Sequence, residues 1–310
     1  MKRRAFLGLL SATTASVVAP AASANTSNNI LRTVSSGLST AAGPLSEDPL
    51  RFIVFGDSGK GDTAQYELAN MMVAHHWNQF YDTALMLGDN IYPDGNPADL
   101  QVKFERPYAQ LLNRGVSFYA SLGNHDVKKG REAQMNYPKF NMGGRGYYSF
   151  VKGDGLVEFF ALDSTRFEVR QRQWLEESLQ GSQAKWKVAF FHHPLYSSAE
   201  RHGSDFDLRA QLEPLFVKYS VDVAFAGHDH IYERVKPQQG VQYFVSGVGS
   251  KPRRGDLERD TPFFAAGNDE ISSFISIEVT PDRFNFKTID ARGKVIDSGD
   301  FASRAATLSS

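Results

Sequence analysis

The sequence predicts an α/β fold, two packed mixed β-sheets flanked by helices, and three observations predict it. Strand-like apolar runs alternate with helix-like segments between residues 51 and 226, the pattern of parallel strands joined by crossover helices. From residue 241 onward the chain reads mostly as strands, which implies a second sheet. At 310 residues and 41% apolar content it can bury a large core.

The amino end comes first in the chain. Lys2-Arg3-Arg4 precede a moderately apolar stretch that closes on Ala22-Ser23-Ala24, the layout of an export signal with a small-residue cleavage site over residues 1–24. Ser11, Thr13, Thr14 and Ser16 dilute that stretch and Pro20 interrupts it. A permanent span, which wants roughly 20 strongly apolar residues, is therefore not expected. Arg3-Arg4 ahead of Phe6-Leu7 looks like a twin-arginine signal. The expectation is a periplasmic or secreted protein with the twin-arginine machinery as a partner and no membrane anchor in the mature form. Residues 25–49 are rich in Ser, Thr, Asn, Gly and Ala and read as a flexible leader. The folded domain is expected over residues 50–302, with a short tail over 303–310.

Within that domain, residues 51–55 are β-branched and aromatic and stop at Gly56-Asp57. Residues 63–77 have helical spacing, with Asp62 or Thr63 placed to cap them. A strand is predicted over 84–87, a helix over 98–112, and a third strand over 117–122 that breaks at Gly123-Asn124-His125-Asp126. Residues 147–151 and 156–162 form a hairpin around Gly153-Asp154-Gly155. A helix follows over 170–179, then a strand over 187–191 ending in His192-His193-Pro194. A helix over 206–219 leads to a strand over 222–226 that ends in Gly227-His228-Asp229-His230. The remaining strands are predicted over 241–245, 272–279, 283–290 and 294–298.

Composition narrows the chemistry. The charge is close to balanced, at −1, so bulk electrostatics do not recruit nucleic acid. There is no cysteine, which excludes disulfides, thiolate metal ligands and a cysteine-linked lipid.

Five strand-like runs end in candidate ligands: Asp57; Asp89 with Tyr92; Asn124 with His125; His192; and His228 with His230. One Asp or Asn after Gly is an ordinary turn residue. Five such endings in one alternating fold differ, because the carboxyl tips of parallel strands gather on one edge. Carboxylates, an amide oxygen, a phenol and imidazoles without sulfur suit iron, zinc or manganese. The set is too large for one ion, and a shared carboxylate can bridge two ions about 3.5 to 4 Å apart.

Gly56-Asp57-Ser58-Gly59, Gly88-Asp89-Asn90-Ile91-Tyr92, Gly123-Asn124-His125-Asp126, His192 and Gly227-His228-Asp229-His230 together resemble the metallophosphoesterase signature. More narrowly they resemble the purple, or tartrate-resistant-type, acid phosphatases. The resemblance runs on through Ser197 to Gly203 and residues 241–249. Many other metallophosphoesterases have Asp-x-His as their first motif; here Gly59 stands in place of that His, and Tyr92 is placed to replace it.

The resemblance implies the four-layer α/β/β/α sandwich and a binuclear centre that binds a small phosphorylated substrate. It implies Fe(III) held by Asp57, Asp89, Tyr92 and His230, and a divalent Fe, Zn or Mn held by Asp89, Asn124, His192 and His228. It further implies an acid phosphatase that attacks phosphate monoesters with a metal-bound hydroxide. His125 and His202 match family histidines outside the metal shell, which contact phosphate and protonate the leaving alkoxide. Asp126 and Asp229 are expected to orient neighbours. His193 is read as incidental, His75 and His76 as a solvated or packing pair, and Arg201, Lys251, Arg253 and Arg254 as a solvated charge cluster, with a part in shaping substrate access as the alternative. Two competing readings stand beside this one: a binuclear phosphodiesterase acting on nucleotides or lipid head groups, and a metal-binding or redox protein without turnover.

Overall fold

Which polar strand ends meet depends on the order in which strands pair. The computed structural model describes residues 48–304, so the signal and leader expected over residues 1–49 lie almost entirely outside the described residues.

The chain begins with β1 (Leu50–Phe55). Helix α1 (Thr63–Asn78) starts where Asp62 Oδ1 accepts the Gln65 N–H at 3.1 Å, the cap the sequence offered. After β2 (Thr83–Met86) the helix predicted over 98–112 is broken. It consists of a 3-10 turn at Pro97–Asp99, a wide π turn at Gln101–Glu105, and the short α2 (Ala109–Leu112). Pro107 is the physical reason: it has no N–H for the Lys103 carbonyl. That carbonyl instead accepts Gln65 Nε2 at 2.6 Å, and the Arg106 N–H reaches back to Gln101 O at 2.9 Å. Next come β3 (Ser117–Ala120), α3 (Arg131–Met135), the predicted hairpin of β4 (Tyr148–Lys152) and β5 (Val157–Ala161), and α4 (Val169–Gly181). They are followed by β6 (Trp186–Phe190), α5 (Phe206–Lys218) and β7 (Val223–Ala226). Two short strands, β8 (Tyr232–Val235) and β10 (Phe264–Asn268), were not foreseen; β9 (Gln242–Ser246) between them was. The chain ends in β11 (Ser273–Val279), β12 (Phe284–Asp290) and β13 (Val295–Phe301).

These strands form two mixed sheets, ordered β13-β12-β11-β1-β2-β3 and β10-β8-β9-β7-β6-β5-β4. Within them β1, β2 and β3 run parallel, as do β5, β6, β7 and β9, so their carboxyl tips share an edge. Alternating side chains build the layers. Phe52 meets Phe159 edge-on at 5.0 Å and Tyr119 stacks on Phe150 at 3.8 Å, both between the sheets. On the outer face of the first sheet Phe55 meets Tyr108 and Phe104 meets Phe118. Outside the second sheet Phe160 joins Leu175 and Leu179 of α4 and Leu212 and Phe216 of α5. Burying each of these large side chains is worth roughly 1.5–3 kcal/mol. The result is the expected α/β/β/α order of layers.

His75 and His76 pack: His75 Nε2 lies 2.7 Å from Ser276 Oγ, on the sheet that α1 covers. At the far end Ser303 is buried, and Ser303 Oγ and the Arg304 N–H both donate to Asp222 Oδ1.

Candidate metal centre

Each candidate ligand follows a strand tip, and the two sheets are stitched together at those tips. Asp57 N donates to Gly88 O at 3.0 Å, joining the ends of β1 and β2. Gly227 N donates to His192 O at 2.9 Å, joining the ends of β6 and β7. Across the sheets, His228 N donates to Asp57 Oδ2 at 2.9 Å and His192 Nδ1 donates to Leu87 O at 2.8 Å. Asp57, Asp89 and His228 have φ of 56°, 51° and 70°. That left-handed backbone costs an L-residue about 1–2 kcal/mol, and strain of this kind gathers at functional sites.

One group of donors centres on Asp57. Tyr92 Oη lies 3.0 Å from Asp57 Oδ1 and 3.2 Å from His230 Nε2, and His230 Nε2 is 3.6 Å from Asp57 Oδ1. Gly59 leaves this corner to Tyr92. A Cβ on it would sit 1.8 Å from the Asn90 carbonyl oxygen, so no side chain fits at that position. Tyr92 instead approaches from the next strand's loop, its N–H bonded to Gly59 O at 2.8 Å.

The other group centres on Asn124. Its Oδ1 lies 3.0 Å from His192 Nε2 and 3.1 Å from His228 Nδ1, and those two nitrogens are 3.2 Å apart. Because His192 Nδ1 gives its proton to a carbonyl, and burial holds this imidazole well below its usual pKa, His192 Nε2 is a bare lone pair. It faces an amide oxygen that can only accept. At most one proton, on His228 Nδ1, is available to the other two atoms, both of them acceptors.

Asp89 reaches both groups. Its Oδ1 is 3.5 Å from His192 Nε2, and oxygens of Asp57 and Asp89 and a nitrogen of His192 lie within 4.8 Å of one another. His125 N fixes Asp89 by donating to Oδ1 at 2.9 Å. The electrostatics ask for cations. Burial and then the Asp89 charge push Asp57 well above the usual carboxylate range, and burial lowers His230 to about 3 and His228 to about 2. Burial, Asp57 and Asp89 raise Tyr92. Carboxylates at 0% and 2% exposure beside neutral imidazoles and a phenol form a set whose unshared electron pairs point inward.

The structure brings together all seven predicted ligands: Asp57, Asp89, Tyr92, Asn124, His192, His228 and His230. The two outer histidines flank them. His125 Nδ1 bonds Pro93 O at 2.5 Å, which turns Nε2 toward Asp89 Oδ2, 3.9 Å away. The His202 ring lies 4.4 Å from that of His228, in a cleft of about 330 Å³ shared with His193 and Arg201. Burial, Arg253 and Arg201 hold His202 below its ordinary pKa.

Asp126 acts as foreseen. It accepts from Asn90 N, Ile91 N, Gly123 N and Gln134 Nε2 at 2.8–3.0 Å, which locks the loops bearing Asp89 and Asn124 together. Asp229 does not: neither of its oxygens bonds a neighbouring imidazole, and burial pushes it up to about 7. His193 is closer than expected, its ring 4.6 Å from that of His228 and its Nδ1 2.9 Å from Ser164 Oγ. Ser164 Oγ also accepts the N–H groups of His192 and His193. Ser164 and Gln134 lie outside the sequence motifs and were missed. Lys251 stands at the rim, Nζ 5.9 Å from the Tyr92 ring centre.

A family model described as calcineurin-like phosphoesterase matches residues 50–232. The chain belongs to the calcineurin-like phosphoesterase family. Among phosphoesterases it is similar to purple acid phosphatase 7 of Arabidopsis thaliana, 28% identical over 293 residues, covering 85% of this chain and 89% of that one. It is also similar to the tartrate-resistant acid phosphatase type 5 of Homo sapiens, 27% identical, covering 79% and 88%. Two solved structures share the fold. The purple acid phosphatase PPD1 of yellow lupin (Lupinus luteus) superposes with a TM-score of 0.71 at 19% identity, covering 85% and 55% of the two chains. GAP50, the anchor in the inner membrane complex of Plasmodium, gives 0.73 at 21% identity, covering 83% and 90%.

Proposed function

We propose that this phosphoesterase is an exported acid phosphatase that hydrolyses phosphate monoesters at a binuclear centre of Fe(III) and a divalent Fe, Zn or Mn. The observation that carries the reading is the confrontation of lone pairs at Asn124, His192 and His228, beside the anionic group of Asp57 and Tyr92, with Asp89 reaching both. Asp57, Asp89, Tyr92 and His230 would hold the ferric ion, for which carboxylate and phenolate are hard donors. Asp89, Asn124, His192 and His228 would hold the divalent one. When bound, the pair supplies the Lewis acidity that activates water and draws charge from the phosphoryl oxygens.

The chain's own groups do the rest. Asp126 keeps Asp89 and Asn124 in register, and the His192 Nδ1 bond to Leu87 O presents Nε2 in one tautomer. His125 and His202 stand on two sides, at Asp89 and at His228, where one contacts the phosphate and the other protonates the departing alkoxide. Export rests on residues 1–24, outside the described residues, and among the described residues no helix is long and apolar enough to cross a membrane.

The test is metal analysis of natively exported protein beside hydrolysis of matched monoester and diester substrates. Iron, a second metal near one equivalent each, a phenolate-to-iron colour that Tyr92→Phe abolishes, and preference for the monoester are expected. A colourless, iron-free enzyme would sink the ferric assignment, and a diester preference would favour the phosphodiesterase reading.

A further inference from the structure

The segment after β9 is this chain's most cationic stretch near the centre, Lys251-Pro252-Arg253-Arg254. It is fastened to the ligand loops. Gly249 N donates to Gly56 O at 3.0 Å, Ser250 Oγ to Asp57 O at 3.1 Å, and Arg253 N to His230 O at 3.1 Å. The cations therefore hang from the backbone of the proposed ferric half. Lys251 Nζ extends over the Tyr92 ring.

Asp256 ties this segment to the opposite wall. It is buried; its Oδ1 accepts Arg201 N at 2.9 Å, its Oδ2 accepts Arg253 Nη1 at 3.3 Å, and its carbonyl accepts Glu200 N at 2.7 Å. Arg201 lines the cleft with His202 and His228. The acid that lines that cleft, Asp205, is engaged in capping α5 through Leu208 N at 2.9 Å. Lys251, Arg253 and Arg201 thus bring three positive charges to this side of the centre, while Asp256 and the buried Asp229, which also faces Arg253, offset part of them and leave Lys251 without an acid partner among the ion pairs of the described residues.

That surplus exceeds what the scissile phosphate needs. On the phosphatase reading a phosphate dianion would be met by the metal pair, which leaves cations held at the mouth to act on the leaving group. Resting on the phosphatase reading, we infer that Lys251 and Arg253, with Arg201 opposite, form a specificity subsite for esters whose leaving group carries an anion of its own. In the step itself the oxygen of water bonds to phosphorus and the phosphorus–oxygen bond to the leaving group breaks with its electron pair. The alkoxide takes one proton, and inorganic phosphate and an anionic alcohol are released.

Glycerol 3-phosphate and 3-phosphoglycerate test this, since they share a skeleton and a phosphate ester and differ by a carboxylate. The metal-loaded wild type is expected to favour 3-phosphoglycerate in kcat/KM by tenfold or more, with the ratio shrinking as salt is raised. Lys251→Met and Lys251→Met/Arg253→Gln should lower that ratio at least tenfold, mainly through KM, and Lys251→Arg should retain it. Lys251 is exposed, so the single variant reports even where the double variant folds poorly. A wild-type ratio near one, or equal losses on both esters in the Lys251→Met variant, overturns the subsite and leaves the phosphatase reading standing. Hydrolysis of neither ester by wild type, nor of any other monoester, overturns both.

Discussion

The two halves of the centre differ in how they are satisfied. Around Asp57, a phenol and an imidazole can hand protons to a carboxylate, with Tyr92 Oη 3.0 Å from Asp57 Oδ1. Around Asn124 there is almost nothing to share, because a bare imidazole nitrogen faces an amide oxygen at 3.0 Å. The first half is anionic and hard, suited to a high-charge cation; the second is neutral and depends on a cation to hold its acceptors together. On the binuclear reading proposed above, the two ions should be separable.

The largest effect tests what the halves share. Asp89→Asn weakens both at once, and hydrolysis should fall on the order of a thousandfold or more, since Lewis-acid stabilisation is worth several kcal/mol. Metal content measured on the same sample should drop for both ions; loss of one alone would break the picture of a shared carboxylate. Next, brief chelation should remove the divalent ion first. Activity should fall to a small residue while the visible band stays, and added zinc or manganese should restore turnover. Simultaneous loss of colour and activity would show the halves to be equivalent. A smaller effect follows from Asp126→Asn, which removes the charge and turns one accepting oxygen into an NH2, so that the clamp is lost either at Ile91 or at Asn90 and Gly123. A 10- to 100-fold loss in metal affinity or rate, on the order seen for outer partners, is expected by titration with the divalent ion.

The smallest effect is a baseline remote from either half. Burial, then Lys287 and His76, lowers the His75 pKa to about 4, so the folded protein prefers its neutral ring more than the unfolded chain does. A depressed histidine is fully tolerated above the unfolded pKa of about 6.5 and costs stability as pH falls from there toward 4. Thermal melts should therefore drop across that window, and His75→Gln should flatten the slope. An unchanged slope would assign the acid sensitivity to the centre instead.

The sequence showed where strand-like runs break and a candidate ligand follows, because that pattern is local, although it took the five endings together to give it meaning. Asp57, Asp89, Asn124, His192 and His228 were visible for that reason, and parallel strands did the gathering. What stayed hidden depends on distant partners. Pro107 broke a helix whose apolar spacing looked intact, its orphaned carbonyl satisfied by Gln65 from another element. Gln134 and Ser164 carry no motif and matter only because folding brings them to Asp126 and His193. Lys251 and Arg253 looked like solvated charge, since only the fastening of residues 249–253 onto Asp57 and His230 sets them at the rim. The tie of Ser303 and Arg304 to Asp222 had no signal in a segment that reads as a tail.

The crowding at Gly59 has an evolutionary consequence. A histidine cannot be accommodated there by a single substitution, because the Asn90–Ile91 peptide already fills the space, and the N–H groups of Asn90 and Ile91 are both held by Asp126. A chain with a histidine at position 59 would need the loop after β2 rebuilt, so it and this one would be neighbours in sequence but separated by a barrier in backbone space.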